Sequence, residues 1–272
     1  MAKLIAIEWD SREARVAVAN PRGNDVIVEE AFAVPLVSPS NDELPSPSQI
    51  AAQLKVALAD KGLSGLEAVV AVPRSNVELR TLSLPHAPPE EIPDMVRFQA
   101  KQAFTSIGED WPVDFVQIDT HEESTSVLAA VISPKLIQQT RKVCEECGLT
   151  LKCLVLRPFA AVSLLHRFET IDVYRSSLIV DVLSDGVDLT AISNGHVVFM
   201  RSVRLPANAD PKAQAKALVG ELRRTIGAAQ NQMGGSRIEQ VIICGTESED
   251  ALLQQSIAEA LSLDVVLFNP FN

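Results

Sequence analysis

A repeated β-meander constrains the fold of this chain more than any other feature of its sequence. The stretch from Ser177 to Arg204 alternates apolar runs with short polar turns such as Ser193-Asn194-Gly195, which is the pattern of three consecutive antiparallel strands. The stretch from Leu4 to Phe32 has the same layout, and an acid ends the first strand of each meander, Glu8 in one and Asp181 in the other. The repeat predicts two related half-domains. A chance likeness is the alternative, because any two meanders look alike.

Length and charge limit the functions open to this chain. A chain of 272 residues, of which 47% are hydrophobic, is long for one core and suits two lobes. The net charge of −11 argues against a nucleic-acid partner, which needs a basic surface. No run approaches the roughly 18 apolar residues of a membrane-spanning helix. Because Met1-Ala2-Lys3 leads directly into a predicted strand, we also expect no secretory signal.

The cysteines and histidines form no recognisable metal or catalytic motif. Cys144 and Cys147 have the spacing of a zinc or redox pair, but no second pair follows at ligand spacing. We therefore interpret them as packing residues at the end of a helix, and we expect no metal site. Free thiols are typical of a reducing cytoplasm. The isolated cysteines are Cys153 and Cys244, and the scattered histidines are His86, His121, His166 and His196.

The segments between and after the meanders predict α/β units. The first meander is followed by a helix over Pro47–Gly62 and a buried strand over Glu67–Pro73. Residues 75–150 predict a β-α-β-β-α insert, whose elements are Asn76–Pro85, Glu90–Phe104, Val113–Thr120, Ser124–Ile132 and Lys135–Cys147. A strand over Leu149–Leu156 and a helix over Pro158–Phe168 follow the insert. The elements expected after the second meander are Pro211–Met233, Ile238–Gly245, Ser248–Leu261 and Asp264–Phe268.

Four segments resemble a single family in their order and spacing. They are Val69–Phe104, the helix Lys135–Cys147 with its Gly148-Leu149 return, Val197–Val203 and Leu263–Phe271. Together they resemble PilM-type pilus assembly proteins and their relative FtsA, with the cytoplasmic domain of the secretion protein GspL nearby. The resemblance implies an α/β, actin-like (ribonuclease H-like) two-lobed fold with a FtsA/PilM-type 1C insert and a reduced 2B subdomain. It assigns residues 1–74 and 151–172 to the first lobe (1A), 75–150 to the insert and 173–272 to the second lobe (2A).

The resemblance also implies a nucleotide cleft at the turns of the two meanders, where this sequence departs from the family. The family's first turn resembles G-I-D-x-G-S, whereas this chain has Ala6-Ile7-Glu8-Trp9-Asp10-Ser11, without either glycine. In the second turn, of the form D-x-G-x-x-T-D, Leu183 replaces the glycine and Asp185 adds a charge. Asp10 would repel a phosphate by on the order of 1 kcal/mol or more. We therefore expect a vestigial cleft. Its residues are Glu8, Asp10, Ser11, Asp181, Ser184, Gly186 and Gly245.

Two groups of charged residues leave alternatives open. Glu8, Asp181 and Asp188 are either a surviving Mg²⁺ and water site or strand-end carboxylates that cap turns, and we favour the second interpretation. Arg80 and Arg201 either bind anions or pair with local carboxylates, as strand arginines more often do.

The resulting hypothesis is a non-catalytic actin-like scaffold of a type IV pilus or type II secretion inner-membrane platform, with no catalytic residue and no expected cofactor. By resemblance, it is cytoplasmic and peripheral to the inner membrane through a PilN-like or GspL/GspM-like protein, whose cytoplasmic peptide it binds. The assembly ATPase and a second copy of the chain are further partners to consider. Two alternatives remain, an active Mg-ATP-binding ATPase of the same assembly and a sugar-kinase-like phosphotransferase. The candidate partner-binding residues are Arg97, Phe98, Lys101 and Gln102.

Overall fold

The computed structural model describes most of the chain as two separate units. The described residues are 3–23, 25–37, 45–105, 108, 110–120, 123–168, 171–172, 174–183, 186–205, 210–233, 235–245 and 247–269. The boundary between the units lies between Leu156 and Arg157, and each unit is considered by itself below. The domain limits proposed from the sequence, which assigned residues 151–172 to the first lobe, stay a prediction.

The first unit contains a five-stranded sheet, a three-stranded sheet and helices. Its strands are β1 (Leu4–Trp9), β2 (Glu13–Arg22), β3 (Asp25–Pro35), β4 (Glu67–Val72), β5 (Val77–Pro85), β6 (Val113–Thr120), β7 (Ser124–Ile132) and β8 (Thr150–Leu156). Its helices are α1 (Pro47–Asp60), α2 (Ile92–Ala103) and α3 (Pro134–Glu146), with a short 3₁₀ turn at Arg74–Asn76.

The second unit is built around one five-stranded sheet. Its strands are β9 (Ser177–Leu183), β10 (Gly186–Ser193), β11 (His196–Val203), β12 (Gln240–Cys244) and β13 (Asp264–Phe268). Its helices are α4 (Arg157–Leu165), α5 (Pro211–Gln232) and α6 (Glu247–Leu261). Among the described residues, no helix is both long enough and apolar enough to cross a lipid bilayer.

The two large sheets have the same topology. The order is β3-β2-β1-β4-β8 in the first unit and β11-β10-β9-β12-β13 in the second. In each sheet the meander is antiparallel, and its first strand then pairs in parallel with the strand that follows the meander. This one-to-one correspondence of order and direction confirms that the two meanders belong to a structural repeat.

The core of the first unit lies between its large sheet and two helices. Ile5 and Ile7 of β1 are buried against Leu54 of α1 and Val143 of α3. Helix α1 begins at Pro47, the first residue of the predicted range, and Ser46 precedes it as the N-cap, in a reciprocal capping box with Gln49. The amphipathic pattern therefore predicted the helix, and the cap fixed its first residue.

The insert forms a small layer of its own on the first unit. Its sheet has the order β5-β7-β6, and α2 covers one face through Val96 and Ala100, which pack with Leu82 and Val127. The predicted β-α-β-β-α order is confirmed. Helix α2 begins at Ile92 rather than Glu90, with Pro93 in its first turn, where a missing N–H costs little. Helix α3 packs with α1 in the core of the large sheet.

The second unit buries one face of its sheet beneath α5 and α6. Leu178 and Val180 of β9 pack with Leu222 of α5 and Ile257 of α6. These strand residues alternate with others of the opposite face, as the pleat of a strand requires. The carboxylates considered below therefore lie on strands and turns that well-packed sheets hold in place.

Candidate functional site

The turn between β1 and β2 is closed by the side chain of Asp10. Asp10 is 4% exposed, and its Oδ1 accepts hydrogen bonds from the backbone N–H groups of Arg12, at 2.8 Å, and Glu13, at 3.0 Å. The backbone N–H of Asp10 in turn donates to the carbonyl oxygen of Glu13. Successive N–H groups that point to one place form a typical anion site. In this turn the anion is a carboxylate of the chain itself.

Arg15 of β2 joins three acids around this turn. Its guanidinium donates to Oδ2 of Asp10 at 2.7 Å and to Oε1 of Glu8 at 2.8 Å, and it also pairs with Glu13 at 2.7 Å. Burial alone would lower the pKa of Arg15, but the hydrogen bond and charge of Glu8 and the charge of Asp10 raise it above its ordinary value. Arg15 is therefore firmly cationic, and it pairs with Glu8 and Asp10 at the same time.

The second unit holds a buried ion pair next to its own turn. Asp188 of β10 is 2% exposed and lies opposite Asp181 of β9. Its Oδ2 accepts hydrogen bonds from Nε, at 2.9 Å, and a terminal nitrogen, at 2.7 Å, of Arg157, the first residue of α4. Ser202 of β11 donates its hydroxyl to the other oxygen of Asp188. Both oxygens of Asp188 are thus engaged, while Ser184 and Asp185 lie outside the described residues.

Other atoms approach both glycines of the expected cleft closely. A Cβ on Gly186 would lie 2.6 Å from the carbonyl oxygen of Val203, so the close approach of β11 requires glycine there. A Cβ on Gly245 would collide with the carboxylate of Asp250. The side chain of Asp250 therefore occupies the space beside Gly245 in the expected cleft.

Three of the four cysteines, Cys144, Cys147 and Cys244, behave as packing residues, whereas Cys153 is exposed. Burial, together with the charge of neighbouring side chains, raises the pKa of Cys144 and of Cys147 to about 11, and Cys147 Sγ contacts the carbonyl oxygen of Ala51 at 3.4 Å. Burial, and then the charge of Asp181, raises the pKa of Cys244 to about 12. Within the described part of the chain, no three potential ligands are grouped to hold a metal ion.

Sequence reasoning missed the arginines that complete both clusters. Arg15 lies directly opposite Glu8 in the β1–β2 register, so an alignment of the predicted hairpin would have suggested the pair. Arg157 gave no such signal, because its contact with Asp188 joins segments that are distant in sequence. Arg201 pairs with Glu221 of α5 at 2.8 Å, in agreement with the local-carboxylate interpretation. Arg80 is exposed on β5.

The predicted partner-binding residues share the outer face of α2. Arg97, Phe98, Lys101 and Gln102 are all exposed, and 66% of Phe98 is accessible to solvent. The opposite face of the helix, through Val96 and Ala100, is buried against the sheet of the insert. The helix therefore presents these four residues together, away from the core.

Comparison with solved structures identifies the fold. A PilM–PilN type IV pilus biogenesis complex aligns with 98% of this chain and 88% of that chain, with a TM-score of 0.79 and 18% identity. A second match is the cytoplasmic domain of EpsL, an inner-membrane component of the type II secretion system of Vibrio cholerae. The alignment covers 100% of this chain and 98% of that domain, with a TM-score of 0.53 and 14% identity. A third match is a Bacteroides thetaiotaomicron protein with an actin-like ATPase fold. The alignment covers 98% of this chain and 90% of that chain, with a TM-score of 0.53 and 11% identity.

The chain therefore has the actin-like fold, as its sequence predicted. At these identities the likeness establishes the fold, and with it the predicted resemblance to PilM-type actin-like proteins. No protein-family model and no curated protein sequence matches the chain.

Proposed function

We propose that this chain is a non-catalytic actin-like component of a type IV pilus or type II secretion assembly platform. It binds the cytoplasmic segment of a PilN-like inner-membrane protein, which holds it at the cytoplasmic face of that membrane. The observation that carries the non-catalytic part is the carboxylate of Asp10, which takes the N–H groups of Arg12 and Glu13. The likeness to a PilM–PilN complex and to the EpsL domain supports the assembly role.

The energetic argument against a nucleotide starts from these hydrogen bonds. A hydrogen bond to a charged group contributes roughly 1.5–3 kcal/mol, so two of them contribute about 3–6 kcal/mol. A phosphate that used the same N–H groups would have to displace Asp10 and break its 2.7 Å contact with Arg15. The loss corresponds to roughly 100- to 10,000-fold in affinity, before the repulsion between carboxylate and phosphate is added. A micromolar nucleotide site would thereby become a millimolar one.

The same reasoning applies to a metal ion. Mg²⁺ needs carboxylate oxygens that can enter its octahedral shell. Arg15 already engages Glu8, and Arg157 and Ser202 engage both oxygens of Asp188. A cation at either place would meet a guanidinium charge and would have to replace it.

The decisive experiment titrates the purified chain with ATP in the presence of Mg²⁺ by calorimetry, with an active actin-like ATPase as the positive control. We expect no saturable binding up to millimolar ATP and no phosphate release above background. A micromolar Kd would overturn the proposal and favour an active ATPase. Phosphate transfer to a sugar would favour the phosphotransferase.

A stability measurement tests the role of Asp10 independently. Asp10→Ala should lower the free energy of unfolding by about 3 kcal/mol or more, because two N–H groups lose a charged acceptor. The matched control is Asp25→Ala, since Asp25 is an exposed acid at the start of β3, and it should change stability by less than about 0.5 kcal/mol. Equal effects of the two variants would show that Asp10 is not an internal ligand of the turn.

A further inference from the structure

The large sheet of the first unit carries its helices α1 and α3 on the face of Ile5, Ile7, Val16 and Val18. The residues that alternate with these lie on the opposite face, because successive side chains of a strand point to opposite sides of a sheet. Residues that pair across strands share a face, so the register extends this opposite face over β1, β2 and β3. We call its central part the outer layer. Its members are Ala6, Ala17, Ala19, Val26, Val28 and Ala31.

The outer layer is apolar and open to solvent. Val26 and Val28 are 51% and 48% exposed, and of the four alanines two are exposed and two are half-buried. A sheet face that is in contact with water is normally polar, and alanine is disfavoured in strands. Charge begins only at the border, where Arg15 pairs with Glu8 at 2.8 Å. A contiguous apolar surface with a charged rim is typical of an interaction site.

The structural repeat shows what covers the equivalent layer in the second unit. When the strand-end acids of the two meanders are matched, the pairing registers place Ile179, Thr190 and Ile192 where β1 and β2 carry alanines. Each of these three residues is at most 2% exposed. They lie opposite α5 and α6, beneath α4, which packs against β10 and β11. Arg157 of α4 also reaches Asp188, which lies on the same face.

Each helix that the structure describes packs on another surface. Helices α1 and α3 cover the other face of the first sheet, α2 covers the insert, and α4, α5 and α6 cover the second sheet. We propose that the outer layer binds one amphipathic α-helix of another protein, which packs there as α4 packs on the second sheet. This inference goes beyond the proposed function and does not depend on it, since a scaffold and an enzyme would present the same uncovered layer.

The dimensions of the outer layer match one helix. The layer is about 20 Å long along β2 and about 10 Å wide across β1–β3. A helix is about 10 Å in diameter and rises about 1.5 Å per residue, so about 13 residues span the layer. Two copies of the chain joined through these layers would bury far less than the roughly 800 Å² per partner of a standard interface. A lipid surface is disfavoured because the layer has no aromatic residue and the chain has a net charge of −11.

The composition of the outer layer also predicts the chemistry of the helix. Four of its six residues are alanines, which leave room for leucine and valine side chains of the partner to interdigitate. The helix should carry these apolar residues at i, i+3, i+4 and i+7. Its outward side should be basic, because the chain's net charge of −11 attracts a positively charged segment.

The first test measures the binding of a labelled synthetic peptide to the full chain by fluorescence anisotropy. The peptide has about 13 residues, with leucine and valine at the helical spacing and lysine and alanine elsewhere. A control peptide has the same residues in strict apolar–polar alternation, which keeps its charge and removes the helical stripe. We expect the helical peptide to bind at least about tenfold more tightly, since burying even one valine contributes that much. Equal affinities, or no binding of either peptide, would overturn the inference.

Matched variants locate the bound peptide. Val28→Gln with Ala31→Gln places polar side chains where the helix must pack, and it should weaken binding by about tenfold or more. Val26→Gln gives the same test with one change at an exposed position. The control is Val56→Gln with Leu252→Gln, at positions that are 63% and 79% exposed on α1 and α6, and it should bind as the wild type does. Circular dichroism checks that each variant is folded. Unchanged binding by the outer-layer variants would show that the peptide lies elsewhere and that the inference is wrong.

Site-specific photo-cross-linking identifies the natural occupant. A photo-reactive phenylalanine analogue replaces Val28, or Val56 as the control, in the cells that produce the chain, and mass spectrometry identifies the joined segment. From position 28 we expect a segment of another protein that has the helical apolar spacing and a net positive charge. A product with the same chain, with a second copy or with a segment that lacks this spacing would overturn the inference. So would the absence of a product, or an equal yield of the same product from position 56.

Discussion

The buried pair of Arg157 and Asp188 offers the sharpest test of how the second unit is held together. The side chains are 10% and 3% exposed, and two hydrogen bonds of 2.9 and 2.7 Å join them. Arg157→Met removes the cation and leaves the carboxylate buried, with the Ser202 hydroxyl as its remaining hydrogen-bond donor among the described residues. Removing one partner of a buried pair costs about 3–5 kcal/mol, because an uncompensated charge stays in a low dielectric. We expect that loss for Arg157→Met.

The double variant distinguishes a stranded charge from lost packing. Arg157→Met with Asp188→Asn removes both charges and keeps an oxygen that can accept the Ser202 hydroxyl. It should recover at least about 2 kcal/mol relative to Arg157→Met alone, because replacing both members of a buried pair is often close to neutral.

Urea unfolding followed by circular dichroism measures these differences. Both tryptophans, Trp9 and Trp111, lie in the first unit, so their fluorescence reports that unit and serves as an internal reference. If Arg157→Met lowers the free energy of unfolding by less than about 1 kcal/mol, the reasoning is refuted, because a loss that small is typical of a solvent-exposed ion pair. A double variant no more stable than the single one would indicate lost packing instead.

The remaining predictions concern thiols and glycines. At pH 8 a thiol reagent should react quickly with exposed Cys153 and at least tenfold more slowly with the buried thiols, and Cys153→Ser should abolish the fast phase. Burial raises the pKa of Cys144 and Cys147 to about 11 in the folded chain. The contribution of these two thiols to the stability of the fold is therefore complete below the pKa of an unfolded thiol, and it should be lost as the pH rises through about 11. Gly186→Ala should destabilise the chain by about 1–3 kcal/mol in urea unfolding, because its Cβ would meet the Val203 carbonyl oxygen. Gly227→Ala on α5, where a Cβ meets nothing within 4 Å, should stabilise the chain by roughly 0.5–1 kcal/mol. A stabilising effect of Gly186→Ala, or a destabilising effect of Gly227→Ala, would contradict this packing.

The features that the sequence predicted are those encoded by local pattern. Alternating apolar residues and turn residues such as Asn194-Gly195 are local signals for strands and hairpins, so the repeat and the insert were predictable from the sequence. The sequence predicted the start of α1 at Pro47 but not Ser46 as its N-cap, because the apolar period does not reveal which serine reaches the N–H groups. Arg157 was missed for a different reason. Its contact with Asp188 depends on packing between segments that are distant in sequence, so no spacing along the chain predicts it.

The N–H groups in the turn of the first unit have an acceptor that the chain itself supplies. N–H groups that converge at a turn cannot be left without acceptors, since each buried orphan costs about 1–3 kcal/mol. A glycine turn can leave such groups to a phosphate or to water, and its stability then depends on what is bound. Here Asp10 supplies the acceptor, and Arg15 compensates the charge that Asp10 introduces. In the second unit the buried carboxylate of Asp188 is likewise paired with an arginine, Arg157, on β10 rather than in a turn. In each unit an arginine therefore compensates the charge of a buried carboxylate. We expect the proposed scaffold to fold without a nucleotide, because a nucleotide that used these groups would break an ion pair.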